Sequence, residues 1–124
     1  MNNFRKISNT LLLDRYGRIF RYLRLSITDI CNFKCGYCLP FGYKKSNKTS
    51  ISFLTFKEIK NLINAFSDVG LEKVRLTGGE PTLRDDFFNI GKLIKSFTNI
   101  KTLAFTTNGL KLRDIVGRCH DSGF

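Results

Sequence analysis

The sequence predicts an α/β fold, a parallel sheet built from about three βα units. Two observations predict it. Short alternating apolar segments and longer segments with helical apolar spacing follow each other three times in the order strand, helix. The three segments with unusual chemistry each fall directly after a predicted strand, where open α/β sheets gather their sites.

The first strand is Tyr22 to Ile27, with Leu23, Leu25 and Ile27 on one side and Arg24 and Ser26 on the other. A cysteine loop follows and runs into the basic stretch Gly42 to Lys48. Thr55 opens a helix, and Glu58 three residues on completes a capping box. Ile59, Leu62, Ile63 and Phe66 form its apolar face and Gly70 closes it. Lys73 to Thr77 is the second strand, ending in Gly78-Gly79-Glu80-Pro81. Asp85 and Asp86 are expected to cap a helix from Phe87 to Phe97. Ile100 to Thr106 is the third strand, and a third helix spans Leu112 to Cys119. Phe20, Phe53, Phe56 and Phe105 read as core. Three units do not close a barrel, which needs eight. The last strand is left as an apolar edge, so the chain reads as a fragment or half of an assembly.

Composition narrows the class. The 124 residues, 42% hydrophobic and 25% charged, suit one modest folded domain. No apolar run exceeds three residues, which excludes a membrane helix. Lys and Arg total 21 against 10 Asp and Glu, a formal charge of +11. A nucleic acid, a nucleotide or an acidic protein would suit that charge, as would a Lys-rich coding bias with no partner at all.

The chemistry concentrates in Cys31, Cys35 and Cys38, a C-x3-C-x2-C run that offers three thiolates and no fourth. A cubane iron–sulfur cluster has four corners, so three ligands leave one iron open. Zinc sites pair their ligands differently, and the fourth cysteine, Cys119, lies far along the chain beside the lone histidine, His120. The polar, basic opening carries no signal peptide, so disulfides are not expected. Cys119 reads as a buried small residue and His120 as a helix-end residue.

Arg24 and Arg75 sit mid-strand with no acid beside them in the sequence. They read as an anion anchor, against the alternatives of an internal salt bridge, for instance to Glu80, or plain exposure. Gly78 and Gly79 allow a ligand close to the backbone, or make an ordinary turn. Thr106, Thr107 and Asn108 offer polar groups, or a turn into the next helix. Tyr37 can shield a cluster and pack on a purine, while Phe33 reads as packing. Asp29 and Asn32 shape the loop.

C-x3-C-x2-C followed by Gly-Gly-Glu-Pro on the next strand resembles the radical S-adenosylmethionine (SAM) superfamily. Asp14 to Arg18, Tyr22 to Phe33, Val74 to Pro81 and Thr106 to Gly109 narrow the resemblance to the GTP 3′,8-cyclase (molybdenum cofactor biosynthesis protein A) family. The resemblance implies a partial (β/α) barrel of the radical SAM type. Residues 1–20 would be an amino-terminal extension and 21–124 the amino-terminal part of the partial TIM barrel, without the carboxyl-terminal second-cluster region.

It also implies a [4Fe–4S] cluster on Cys31, Cys35 and Cys38, with SAM on the open iron. Tyr37 and Gly79 would contact SAM, and Arg24, Arg75 and Thr106 would contact GTP. SAM cleavage would give a 5′-deoxyadenosyl radical that takes the ribose 3′ hydrogen of GTP. The product would be (8S)-3′,8-cyclo-7,8-dihydroguanosine 5′-triphosphate, in the first step of molybdenum cofactor biosynthesis.

Implied partners are a reductant such as flavodoxin or ferredoxin, a second copy in a homodimer, and a downstream cyclic pyranopterin monophosphate synthase. The setting is cytoplasmic, without membrane or nucleic acid. Family members carry three further cysteines for a second cluster, and Cys119 does not match them, so weak turnover by the isolated chain is expected. A radical SAM enzyme acting on RNA or peptide, or an inactive remnant, are the alternative readings.

Overall fold

The structure is a computed structural model, and it describes residues 11–45 and 52–124. The expected basic stretch therefore lies partly outside the described residues, as do residues 1–10 of the extension.

Three strands, β1 (Tyr22–Ser26), β2 (Lys73–Thr77) and β3 (Thr102–Phe105), form one parallel sheet in the order β1-β2-β3. Helices α1 (Phe56–Asp68), α2 (Phe87–Lys95) and α3 (Leu112–Asp121) follow the strands in turn. This is the predicted β/α alternation of a partial barrel; β2 has the expected bounds, while β1 ends one residue early and β3 is two residues shorter at its start and one at its end.

Period-two alternation divides the sheet. Leu25, Val74, Leu76 and Leu103 are buried and meet Ile59 and Ile63 of α1 and Phe87, Ile90 and Ile94 of α2. The capping box on α1 is formed in both directions, Glu58 N–H to Thr55 Oγ1 at 3.2 Å and Thr55 N–H to Glu58 Oε2 at 2.7 Å. Gly70 takes a φ of 93° just past that helix, the left-handed conformation that ends it without a Cβ penalty.

Three expectations are corrected. Asp86 occupies the N-cap position of α2 but makes no side-chain cap bond. Its carboxylate is taken by Arg84, Nε to Oδ1 at 2.6 Å and Nη2 to Oδ2 at 3.1 Å. A two-toothed ion pair outcompetes a single backbone N–H. Phe20 is 47% exposed, because it lies in a small hairpin outside the sheet, where its N–H donates to Leu12 O. Phe56 is 41% exposed, because it opens α1 beside Asn89 and Leu93, in a shallow groove between the helices.

Phe53 is half-buried and outside the core cluster. Phe105 does join the core, packing edge-on against Phe87 and Phe124 with ring centroids 5.2 and 4.9 Å away. Cys119 is buried at 5% exposure, as expected, and His120 is exposed at the end of α3.

Candidate functional site

The carboxyl ends of all three strands meet at one rim. Gly79 N–H donates to Thr28 O and Glu80 N–H to Ile30 O, both at 2.8 Å. These bonds carry the β1–β2 pairing past the sheet and into the start of the cysteine loop. On the other side Thr106 N–H donates to Leu76 O at 3.0 Å, and Thr106 Oγ1 lies 3.1 Å from Thr77 Oγ1.

The glycine pair is required by this approach. A Cβ on Gly78 would collide with the Thr28 carbonyl, and one on Gly79 with the carbonyls of Ile30 and Asp29. Gly78 also holds a φ of 149°, which L side chains rarely adopt. The glycines therefore admit the chain's own loop. The sequence leaves that space open to a ligand or to an ordinary turn.

Glu80 is 1% exposed and forms no ion pair among the described residues. Its Oε1 accepts Thr82 Oγ1 at 2.6 Å and Thr107 Oγ1 at 2.9 Å, and its Oε2 accepts Asn108 N–H at 2.7 Å. The buried carboxylate thus ties the β2 turn to the β3 turn, and a salt bridge to the strand arginines is excluded. Pro81 then starts a short 3-10 helix, Pro81–Leu83. Arg84 returns to β1, with Nη1 2.8 Å from Ile27 O.

Cys31 and Cys35 are half-buried and Cys38 is exposed; none is in a disulfide. Cys38 N–H and Leu39 N–H both donate to Cys35 O, at 3.0 and 2.9 Å, and close a turn between the last two thiols. Phe33 N–H already approaches Cys31 Sγ at 3.5 Å. Among the described residues no three Cys, His, Asp or Glu side chains are gathered closely enough to hold a metal ion. The donor set fits a three-thiolate cluster by its chemistry: free thiols, one loop, solvent access and a backbone N–H aimed at sulfur.

The opposite face of the sheet carries the arginines. Arg24 and Arg75 stand directly across from each other in the β1–β2 register, so they share one face. Neither makes an ion pair among the described residues. Arg75 Nε is held by Tyr22 Oη at 2.9 Å. Lys73, two residues before Arg75, belongs to the same row. With Tyr22, Arg75, Thr102 and Ala104 it lines an open groove of about 520 Å³. Sequence reasoning passed over Lys73 and Tyr22, although period-two spacing from the arginines marks both.

Tyr37 is 95% exposed and touches neither the glycine turn nor the sheet face. Glu72, which also lines the groove, pairs with Arg21 and Lys101. Hydrogen bonds from Lys101 and Arg21 hold its carboxyl below the usual range. Burial pushes the Cys119 thiol up, partly offset by the Arg118 charge.

The profile of the radical SAM superfamily matches residues 25–124. The chain is 52% identical over 110 residues to a GTP 3′,8-cyclase of Vibrio atlanticus, covering 89% of this chain and 33% of the relative. It is 51% identical over 118 residues to a GTP 3′,8-cyclase of Shewanella denitrificans, covering 95% of this chain and 34% of the relative. A Vibrio vulnificus relative of the same name is 50% identical over 110 residues. The chain spans about a third of the length of these curated relatives. A superfamily match over four-fifths of the residues, on a parallel β/α sheet whose rim joins a three-cysteine loop to a diglycine turn, leaves one assignment: this chain belongs to the radical SAM superfamily, an enzyme family whose members imply a [4Fe–4S] cluster and SAM.

Proposed function

We propose that the chain forms part of a GTP 3′,8-cyclase and carries its cluster loop and part of its nucleotide face. One observation carries the GTP side of this reading: two arginines are placed directly opposite each other, and neither is ion-paired among the described residues. Like charges opposed across strands cost a few tenths to about 1 kcal/mol. A polyanion on that face reverses the sign, and a triphosphate presents several oxygens to guanidinium forks. Thr106, on the rim beside Thr77, offers a hydroxyl to the same ligand.

In this reading Cys31, Cys35 and Cys38 hold the [4Fe–4S] cluster, and SAM takes its open iron. Bound together, the two supply one-electron chemistry that ends in hydrogen-atom abstraction. The residues of this chain bind and orient. The Gly79 N–H is already committed to Thr28 O and its Cβ space to the Asp29 and Ile30 carbonyls, so Gly79 serves SAM through its own carbonyl. Tyr37 must fold back from solvent to reach SAM, which makes its approach part of cluster assembly. The row Arg24, Arg75 and Lys73 grips phosphate, and Tyr22 fixes the Arg75 fork.

The proposal extends to the product, the cyclised nucleotide that opens molybdenum cofactor biosynthesis. It extends also to a flavodoxin- or ferredoxin-type reductant, a homodimer, a following cyclic pyranopterin monophosphate synthase, and a cytoplasmic setting that keeps free thiols reduced. The division into a lead-in of residues 1–20 and a barrel part from residue 21 belongs to the same reading. No helix among the described residues is long and apolar enough to cross a membrane.

The test is anaerobic reconstitution with iron and sulfide, followed by GTP titration. The expected result is a broad absorbance near ~400 nm, lost from each of the three cysteine variants, and saturable GTP binding weakened by Arg75→Ala. Stoichiometric zinc uptake in place of the cluster would overturn the metal assignment. RNA binding with no response to GTP would turn the basic face toward a different substrate class.

A further inference from the structure

Asn108 joins two rim loops that are 76 residues apart in sequence, its Nδ2 donating to Asn32 Oδ1 at 2.9 Å. The orientation is determined by a neighbour. Leu110 N–H can only donate, and it meets Asn108 Oδ1 at 3.1 Å. The nitrogen end of Asn108 therefore faces Asn32, and Asn32 must present oxygen. Asn108 is itself anchored, because its N–H is bound to the buried Glu80 carboxylate at 2.7 Å. A chain of contacts thus runs from the interior, through Asn108, to the residue next to Cys31.

Glu80 N–H already holds Ile30 O, just before Cys31; beyond Asn32 the described residues of the loop bond to one another. Phe33 N–H turns to Cys31, Cys38 and Leu39 turn to Cys35, and Gly42 N–H turns to Leu39. Among the described residues, the Asn32–Asn108 bond is the one hydrogen bond that ties the chain between Asn32 and Lys45 to another element.

We propose that Asn32 and Asn108 are positioning residues, a clasp that fixes the Cys31 end of the loop against the turn after β3. The clasp makes cluster retention depend on a strand end that supplies no cluster ligand. This rests on the cluster reading above, but it is testable without a cluster.

Chemistry supplies a sign-reversing experiment. Asn32→Asp still accepts from Asn108 Nδ2. Asn108→Asp still accepts from Leu110 N–H, and Asn32 can turn its amide and donate instead. The double variant sets two acceptors face to face and cannot bond. Amide hydrogen exchange over residues 31–38 is measured on the full metal-free chain, with the thermal midpoint as a control on folding. Iron retention against a chelator is then measured on the reconstituted chain.

Each single variant is expected to exchange within about twofold of wild type, and the double roughly three- to tenfold faster, the size of one lost hydrogen bond. The double is expected to lose iron correspondingly faster. A double variant no faster than the product of its singles overturns the clasp. Faster exchange with unchanged iron retention overturns its service to the cysteines. A wild-type chain that takes up no iron sinks the cluster reading alone, and the exchange comparison on the metal-free chain then still decides the clasp.

Discussion

Replacing Glu80 by Gln changes one buried atom and leaves the side-chain shape intact, so its consequence follows from hydrogen bonding alone. Oε1 accepts from the Thr82 and Thr107 hydroxyls at 2.6 and 2.9 Å and from Thr82 N–H at 3.2 Å. Oε2 accepts only from Asn108 N–H, at 2.7 Å. The amide of Gln keeps one oxygen, and the crowded Oε1 position claims it. Its NH2 then faces the Asn108 N–H, donor against donor. Hydroxyls can rotate away from such a clash, but a backbone N–H cannot. The loss is one charge-assisted hydrogen bond together with a donor left unpaired, about 2–3 kcal/mol. For a domain of this size that lowers the thermal midpoint by roughly 8–15 °C. Glu80→Ala strands every donor and should cost more. Thermal unfolding followed by circular dichroism reads the effect, and urea titration checks that the slope is unchanged. A midpoint for Glu80→Gln within about 2 °C of wild type would refute the claim that this carboxylate holds the β2 and β3 turns together.

Four further outcomes are expected. Cys31→Ala, Cys35→Ala and Cys38→Ala each abolish iron uptake, while Cys119→Ala keeps it and costs about 1 kcal/mol of stability as a small core cavity. Cys119 is 5% exposed and burial raises its thiol, so mass spectrometry after brief alkylation should find label on the loop cysteines and none on Cys119 until denaturant is added. Arg75→Ala should weaken GTP binding by roughly ten- to a hundredfold in calorimetry with iron content unchanged, the size of a lost guanidinium–phosphate pair; Tyr22→Phe should weaken it less, since only the orienting bond is lost. Glu72 is held below its usual value by Lys101 and Arg21, so its contribution to stability is full above the ordinary carboxylate range and disappears as pH falls through the lowered value. Urea midpoints from about pH 6 to about pH 3 should therefore fall less steeply for Glu72→Gln than for wild type.

The elements most legible in the sequence are those whose signal is local. The α1 capping box needs only Thr55 and Glu58, and both of its bonds form. Strand alternation needs only neighbours, and β2 spans the predicted Lys73 to Thr77. What depended on distant partners was less legible. Asp86 carries a cap signature, but its carboxylate goes to Arg84, two residues before it, whose guanidinium is held by the distant Ile27 O. Phe56 has the spacing of a core residue, yet it is 41% exposed in the shallow groove beside Asn89 and Leu93. The Asn32–Asn108 contact had no sequence signal, because each asparagine alone fits an ordinary turn. The three thiols were visible as a set but do not converge here, since their convergence depends on what they bind.

The diglycine turn shows how fold and site constrain each other. Both glycines are explained by the carbonyls of Thr28, Asp29 and Ile30, which pass where a Cβ would stand. That contact brings the entry to the cysteine loop within hydrogen-bond reach of the β2 end, with the two N–H groups of Gly79 and Glu80 as the fasteners. An alanine at position 79 would push against the Asp29–Ile30 backbone, and no flexible side chain is there to yield. Relief would have to come from moving the loop outward, which separates the cysteines from the face that holds the arginines. A substitution that removes no ligand would then uncouple metal binding from nucleotide binding. The closeness of the two backbones, more than the identity of any side chain in the turn, is therefore what holds the entry to the cysteine loop at the β2 end.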